Sequence, residues 1–140
     1  MKSPGSSTKA DQDGPTTVRY SLLPHKQYDP VVAQRFGTEC SQPLVAVPAQ
    51  GAAPSAEPMV ESGTPEVLVA SIKPREDRKA WVVRLFNVSP RAAKTSLRWG
   101  PAAPSALWIS NLAEQRVARV AGDVEIPASG VVTLRADLDR

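Results

Sequence analysis

The sequence contains very few of the side chains that carry out catalysis. Its 140 residues include one histidine and one cysteine. A zinc site needs three or four converging His, Cys, Asp or Glu ligands, and a Ser or Cys nucleophile usually needs a histidine base. No HExxH, CxxC or glycine-rich phosphate loop occurs. We therefore predict no catalytic residue, no metal site and no cofactor in this chain.

Long apolar runs are also missing. No stretch approaches the roughly 18 apolar residues of a membrane span, and the first 15 residues lack the apolar region of a secretion signal. The single cysteine, Cys40, excludes an internal disulfide and favours a reducing compartment. We expect no membrane partner and slightly favour a cytoplasmic location, although a module from a longer exported chain would have the same composition.

The positive charge is concentrated in one stretch. The chain has a net charge of +3, yet residues 73–98 alone hold eight cations and two acids. Such an excess can attract phosphates. The stretch lacks interleaved exposed aromatic residues and a recognition helix, however. We interpret it as a solvated rim of turns and strand edges, and we predict no nucleic-acid partner.

Apolar and polar residues alternate in short segments that are separated by turn residues such as proline, and this pattern predicts an all-β fold. The predicted strands are residues 65–74, 79–89, 93–100, 106–112, 116–127 (one strand or two) and 130–138. Short strands at this spacing are typical of an antiparallel β-sandwich. We assign the sandwich to residues 65–140, and a linker or long loop to the Ala-, Pro- and Gly-rich residues 49–64.

The front of the chain predicts a strand–helix–strand piece at residues 16–48, preceded by a disordered tail at 1–15. Residues 16–25 alternate through Val18, Tyr20 and Leu22, which predicts a strand. A short helix is expected from residue 28, with Asp29 as N-cap and an end before Gly37. Residues 42–48 are expected to be extended. The all-β sandwich thus carries one short N-terminal helix.

The stretch WVVRLFNVSP, residues 81–90, interrupts a strand pattern with two polar residues. Trp81, Val83 and Leu85 share one face, Arg84 falls on the other, and Asn87 stands where the apolar face should continue. In one interpretation Arg84 packs its stem on the sheet and meets a carboxylate or carbonyl, while Asn87 turns the strand end. In the other, both contact a catalytic domain or a sugar.

Four short motifs occur in a fixed order. They are SIKP at 71–74, RLFN at 84–87, NLAE at 111–114 and GVVTL at 130–134. With the segments VRYSLLPH and PLVAVP before them, this order resembles the C-terminal end of glycoside hydrolase family 38 α-mannosidases, over residues 17 to about 137. Relatives tend to read PHxGDW where this chain has residues 24–29, PHKQYD.

The resemblance implies a non-catalytic, all-β domain. The family's zinc ligands and nucleophile lie in an N-terminal catalytic region, so zinc is expected there and not in this chain. The implied partner is an α-mannosidase-like catalytic domain, in the same or another chain, together with mannose-containing glycans. The alternative is a freestanding carbohydrate-binding or protein-interaction module. The candidate sugar-contact or interface residues are Arg84, Asn87, Trp108 and His25.

Overall fold

Short antiparallel strands make up most of the chain after residue 60. The computed structural model describes residues 14–42, 44–48, 50–51, 57–101 and 103–139. Its elements are helix α1 (Pro30–Ser41) and strands β1 (Val60–Ser62), β2 (Val67–Pro74), β3 (Ala80–Asn87), β4 (Ala93–Thr95), β5 (Leu97–Trp99), β6 (Ala106–Ser110), β7 (Arg116–Val120), β8 (Val124–Ile126) and β9 (Val131–Asp137). The predicted β-sandwich with one short helix is confirmed. The predicted disordered tail lies almost entirely outside the described residues.

One five-stranded sheet forms the first layer of the sandwich. Its strand order is β2-β3-β9-β6-β7, and all neighbouring pairs are antiparallel. Two small ribbons, β1-β5 and β4-β8, face it as the second layer. Strand β9 therefore lies in the middle of the main sheet, where it pairs with β3 and β6, which come much earlier in the sequence.

Side-chain alternation along β3 decides where the core lies. Val83 and Leu85 are fully buried, whereas Arg84 between them is exposed. Leu134 of β9 lies directly opposite Val83 and is also fully buried. The core cluster is completed by Val67, Val124 and Ile126. Burying a side chain of this size contributes roughly 1.5–3 kcal/mol, so these few residues supply much of the sandwich's stability.

The predicted helix begins where the sequence indicated and ends later. The backbone N–H groups of Val31 and Val32 donate to Asp29 Oδ1 at 2.8 and 3.2 Å, which confirms Asp29 as N-cap. Helix α1 continues through Gly37 to residue 41, so the predicted end before Gly37 is wrong. A single helical glycine costs only about 1 kcal/mol, and the hydrogen bond from Thr38 Oγ1 to the Gln34 carbonyl (3.0 Å) supports the last turns.

The segments on either side of α1 do not form strands. Residues 16–25 and 44–48 have no strand assignment and are exposed, so the predicted strand at 16–25 is wrong. Strand formation requires a partner edge, and no described strand pairs with either segment. The single cysteine, Cys40, is exposed at the end of α1. No helix among the described residues has the length and apolar character needed to cross a membrane.

Most of the strands predicted after residue 65 are present within a few residues of their expected bounds. The stretch 93–100 divides into β4 and β5, and 116–127 divides into β7 and β8. Strand β1 falls inside the predicted linker 49–64, because a three-residue strand is too short to show a period. It lies against β5, with Val60 opposite Trp99. Within the described residues, that loop therefore contributes to the second layer.

Gly100 allows a close approach that a larger residue would block. A Cβ atom at this position would overlap the Pro58 carbonyl oxygen, and the Gly100 N–H donates to the Met59 carbonyl at 3.1 Å. We expect Gly100→Ala to lower the free energy of unfolding by about 1–3 kcal/mol, because the β1-β5 ribbon must shift.

Gly122→Ala is the matched control for this prediction. A Cβ atom there would meet nothing within 4 Å, so its free energy of unfolding should change by less than about 1 kcal/mol. Both values come from urea unfolding followed by circular dichroism. Equal losses in the two variants would contradict the close-approach argument.

Candidate functional site

Asn87 is the last residue of β3 and is completely buried. Its Nδ2 donates to the carbonyl oxygens of Arg91 (2.8 Å), Pro127 (3.1 Å) and Ile126 (3.3 Å), and its Oδ1 accepts from the Ser89 N–H at 2.9 Å. An amide has two donor hydrogens, so the longest of the three contacts is shared. The side chain thus joins the end of β3 to the following turn and to the β8–β9 connection.

This geometry assigns Asn87 a structural part. Its side chain falls on the same face as Val83 and Leu85, as the alternation indicated. The bond from the Ser89 N–H to Oδ1 is the local turn expected from an asparagine at a strand end. The contacts to residues 126 and 127 are long-range, and only the folded structure brings them together. A fully enclosed amide with these partners has no donor left for a ligand.

Arg84 lies on the opposite, outer face of the main sheet. It is exposed, and its in-register neighbours are Ser71 of β2 and Thr133 of β9. The sequence interpretation expected a carboxylate or carbonyl partner. Among the described residues none bonds to the Arg84 guanidinium. The side chain therefore presents an unneutralised charge between two hydroxyl-bearing residues.

An apolar row adjoins Arg84 on the same outer face. Leu68, Phe86 and Val131 are paired across β2, β3 and β9, one row along the strands from Arg84. Leu68 and Phe86 are half-buried, and Val131 is 58% exposed. An arginine beside an aromatic and an aliphatic side chain is a composition enriched at protein interfaces. The row also reaches the helix, since a hollow of about 300 Å³ between α1 and β2–β3 is lined in part by Leu68 and Phe86.

Trp108 occupies the other side of that face. It is half-buried, with the guanidinium carbons of Arg116 and Arg119 at 5.3 and 6.0 Å from its ring centre. Its Nε1 is buried without a hydrogen-bond partner among the described residues. Stacking of a sugar requires a ring face open to solvent, and these two cations occupy ring-face positions. Trp81 and Trp99 pack against the core, and for Trp81 this agrees with the face it shares with Val83 and Leu85.

His25 is remote from the other three candidates in the sequence and in its contacts. It is exposed in the segment before α1, and its ring centre lies 6.2 Å from that of Tyr28. Together with Leu23, Val32 and Phe36 it lines a hollow of about 290 Å³ against the helix. The structure thus places the four candidates in four different environments, and no single site unites them.

A charged cluster over the outer face was not identified from the sequence. Glu114, in a left-handed conformation (φ 60°), binds Lys73 Nζ at 2.5 Å and lies 4.0 Å from Arg75 Nε. Its carbonyl accepts from Arg135 Nη1 at 3.3 Å. The β6–β7 turn therefore folds back over the sheet towards β2. The NLAE motif at 111–114 was the available signal, but nothing in the sequence showed where the turn would point.

Asp77 belongs to the same charged region. The Lys79 backbone N–H, which donates to Asp77 Oδ1 at 3.0 Å, lowers the pKa of this carboxyl, and the ion-paired Arg75 guanidinium lowers it further. The bond closes the turn between β2 and β3. The side chain stands at the surface, so the pair contributes little to stability.

Half of the eight cations in the basic stretch 73–98 pair with neighbouring acids. Besides Lys73 and Arg75, two of its cations form cross-strand pairs on the second layer. Lys94 lies opposite Glu125 (3.5 Å) and Arg98 lies opposite Glu61, which raises the pKa of Arg98 by hydrogen bonding. Among the described residues, no three His, Cys, Asp or Glu side chains are grouped to hold a metal.

The fold defines the class of protein as a two-layered antiparallel β-sandwich domain. A family model described as "Glycosyl hydrolases family 38 C-terminal beta sandwich domain" matches residues 66–136, half of the chain. The chain belongs to this family, and the matched region is a non-catalytic domain of family 38. The resemblance drawn from the four motifs is confirmed.

Two further comparisons add little. No curated protein matches the sequence. One solved structure, the apo exo-carrageenase GH42 from Bacteroides ovatus, is similar with a TM-score of 0.40 and 15% identity. The match covers 59% of this chain and spans only 11% of that protein. A likeness at this level establishes no shared activity.

The contacts of Asn87 predict a large loss of stability when its amide is removed. Asn87→Ala removes the bonds to the Arg91 and Ile126 carbonyl oxygens and to the Ser89 N–H, whereas the Pro127 carbonyl keeps the Gly130 N–H. Each group that water cannot reach costs about 1–3 kcal/mol. We expect a total loss of about 2–4 kcal/mol in urea unfolding.

Asn111→Ala is the control for this measurement. Asn111 also closes a turn, through its bonds to Gln115, but it is exposed. Water replaces its partners, so the loss should stay below about 1 kcal/mol. A loss at Asn87 no larger than that at Asn111 would show that the buried amide does not hold the two layers together.

Proposed function

We propose that this chain is the non-catalytic C-terminal domain of a family 38 α-mannosidase-like protein, and that it packs against and supports the catalytic portion. That portion is carried on the same polypeptide or on a second one. The observation that carries the proposal is the pair of exposed apolar segments flanking α1. They have the composition of buried strands and no partner among the described residues.

The first segment alternates as a strand does. Val18, Tyr20 and Leu22 are 59%, 84% and 88% exposed. The second segment, residues 44–47, carries Leu44, Val45 and Val47, which are equally solvent-accessible. Contiguous exposed apolar surface of this kind marks interaction sites on soluble proteins. The two segments are therefore the best candidates for the contact with a further part of the protein.

Unpaired backbone groups add a second reason for a partner. Residues 16–25 and 44–48 form no ladder with any described strand, so their N–H and C=O groups remain available. Addition of such a segment to an open sheet edge satisfies these groups, and pockets for alternate side chains supply specificity. A sheet edge on the catalytic portion is the proposed acceptor. The proposal therefore explains why a strand pattern in the sequence has no strand in this chain.

The proposed roles of this domain and of the catalytic portion follow from the family. The zinc ion and nucleophile expected of these enzymes would belong to the catalytic portion, and mannose-containing glycans would be its substrates. The chemistry available in this chain supports that division. Within the described residues, several acids pair with arginine or lysine, as in the Glu114 cluster and the pair of Asp137 with Arg135.

The exposed front segment predicts self-association of the isolated chain. Because Leu22 lies in an unpaired strand-like segment, the free 140-residue chain should associate as its concentration rises, and Leu22→Asp should reduce this. Light scattering over a range of concentrations measures the effect. Leu112→Asp is a matched control, since Leu112 is 87% exposed but lies in the β6–β7 turn. A chain that stays monomeric at high concentration would count against the front segment as a contact site.

The proposed function is tested on the protein as it occurs in its source. An antibody against residues 65–140 recovers it, and intact mass and peptide sequencing identify what is attached. We expect a polypeptide well above 15 kDa, or a tightly bound second chain, that carries family 38 catalytic sequence and α-mannosidase activity. A lone 15 kDa species without such a chain would contradict the proposed function.

A further inference from the structure

We propose that the outer face of the main sheet around Arg84 docks against an acidic surface of the catalytic portion, with the Arg84 guanidinium bound to a carboxylate there. We call Ser71, Arg84, Phe86, Val131 and Thr133 the Arg84 patch. This inference rests on the proposed function and names the second surface, besides the segments flanking α1, through which the contact is made.

The patch is built by strand register. Ser71, Arg84 and Thr133 are aligned across β2, β3 and β9, and neighbouring side chains in such a row lie about 5 Å apart. Phe86 and Val131 form the next row. All three strands are held by the buried core beneath them, so the row is rigid. A rigid row of an arginine and two hydroxyl groups offers only hydrogen-bond donors and weak acceptors, which suits a carboxylate.

The lack of an acidic partner distinguishes Arg84 from the cations nearest to it on this face. Arg119, which lies against Trp108 on the far side of the sheet, also has none among the described residues. Lys73 and Arg75 bind Glu114, and Arg116 and Arg135 bind Asp137. Arg84 has no acidic partner among the described residues, and Ser71 and Thr133 beside it carry no charge. The chain therefore neutralises the cations around the patch and leaves this one open. Complementarity requires an acidic group on whatever covers it.

The apolar row indicates a protein partner. Val131 and Phe86 present aliphatic and aromatic surface next to the guanidinium, and burial of these atoms would exclude water from the ion pair. Arginine and aromatic residues together are the usual centres of binding energy at protein interfaces. Phe86 is half-buried within its row.

Position links the patch to the front segments. Phe86 and Leu68 face the hollow beside α1, which is also lined by Gln34 and Thr38 of the helix. The exposed segments lie directly before and after that helix. One partner surface that contacts the segments is therefore placed to reach the patch as well.

Arginine-selective modification with phenylglyoxal tests the inference residue by residue. The reagent is applied to the isolated 140-residue chain and to the native assembly recovered with the catalytic portion, and peptides are quantified by mass spectrometry. We expect Arg84 to react at least about fivefold more slowly in the assembly, because its guanidinium is covered. Arg91 is the control, since it is exposed in the turn after β3, and its rate should not change.

The outcomes separate the inference from the proposed function. Unchanged reactivity of Arg84 in an assembly that does contain the catalytic portion would overturn the patch and leave the proposed function standing. Absence of any catalytic portion would overturn both. Concentration-dependent protection of Arg84 in the isolated chain would identify a second copy as the occupant and would also overturn the inference.

Charge reversal supplies a second measurement. If the catalytic portion is a second polypeptide, Arg84→Glu should weaken its association about tenfold or more, and Arg84→Lys less, because lysine keeps the charge but not the forked geometry. If it is on the same polypeptide, Arg84→Glu should speed proteolytic separation of the two parts by a similar factor. Arg91→Glu should leave either quantity within about twofold. Equal effects of Arg84→Glu and Arg91→Glu would overturn the inference.

Circular dichroism melts check folding in these variants. Arg84 is exposed and has no bonded partner among the described residues, so the isolated Arg84→Glu chain should melt within a few degrees of the unchanged chain. Loss of association with an unchanged melting curve supports the inference. Loss of both would show that Arg84 acts on the fold, and would overturn it.

Discussion

The buried amide of Asn87 is the interaction on which the arrangement of the two layers depends. It stands at the end of β3 in the main sheet, and it donates to carbonyl groups of the turn after β3, of the end of β8 and of the β8–β9 connection. Strands β8 and β9 belong to different layers. An apolar side chain of similar size would fill the space and leave those carbonyls unpaired, at a cost comparable to the gain from burial. The buried amide of Asn87 thus fixes the position of the β8–β9 connection relative to the end of β3.

The same strand serves the inside and the outside of the domain. Asn87 and Arg84 are three residues apart, and because side chains alternate along a strand they fall on opposite faces. Leu85, fully buried between them, anchors the strand against Leu134 and the second layer. The rigidity that this anchoring imposes on β3 is what holds Arg84 in a defined row with Ser71 and Thr133. A surface arginine on a loop would lose more side-chain freedom on binding.

The strands after residue 65 were predictable because their pattern is local. Alternation in β3 and β9 shows directly in burial, and Asp29 was recognisable as a cap from its position before Pro30. The failures have physical causes. Residues 16–25 alternate like a strand, but a strand exists only when an edge pairs with it. The three residues of β1 are too few for a period. Glu114, in the β6–β7 turn, contacts Lys73 of β2 across the sheet. The residues of the turn itself do not show in which direction it folds, so this contact was not predictable.

The two surfaces that remain unsatisfied in this chain differ in kind, and this bears on how a partner would be chosen. The front segments offer apolar side chains and free backbone groups, which give affinity but little discrimination, since many sheet edges could accept them. Arg84 offers a single charge at a fixed place, which adds little affinity alone but disfavours any surface without an acid opposite it. A domain that has to seat on one particular catalytic portion needs both properties. Under the proposed function, their separation between the segments flanking α1 and the main sheet would let the segments supply affinity and the sheet face supply selectivity.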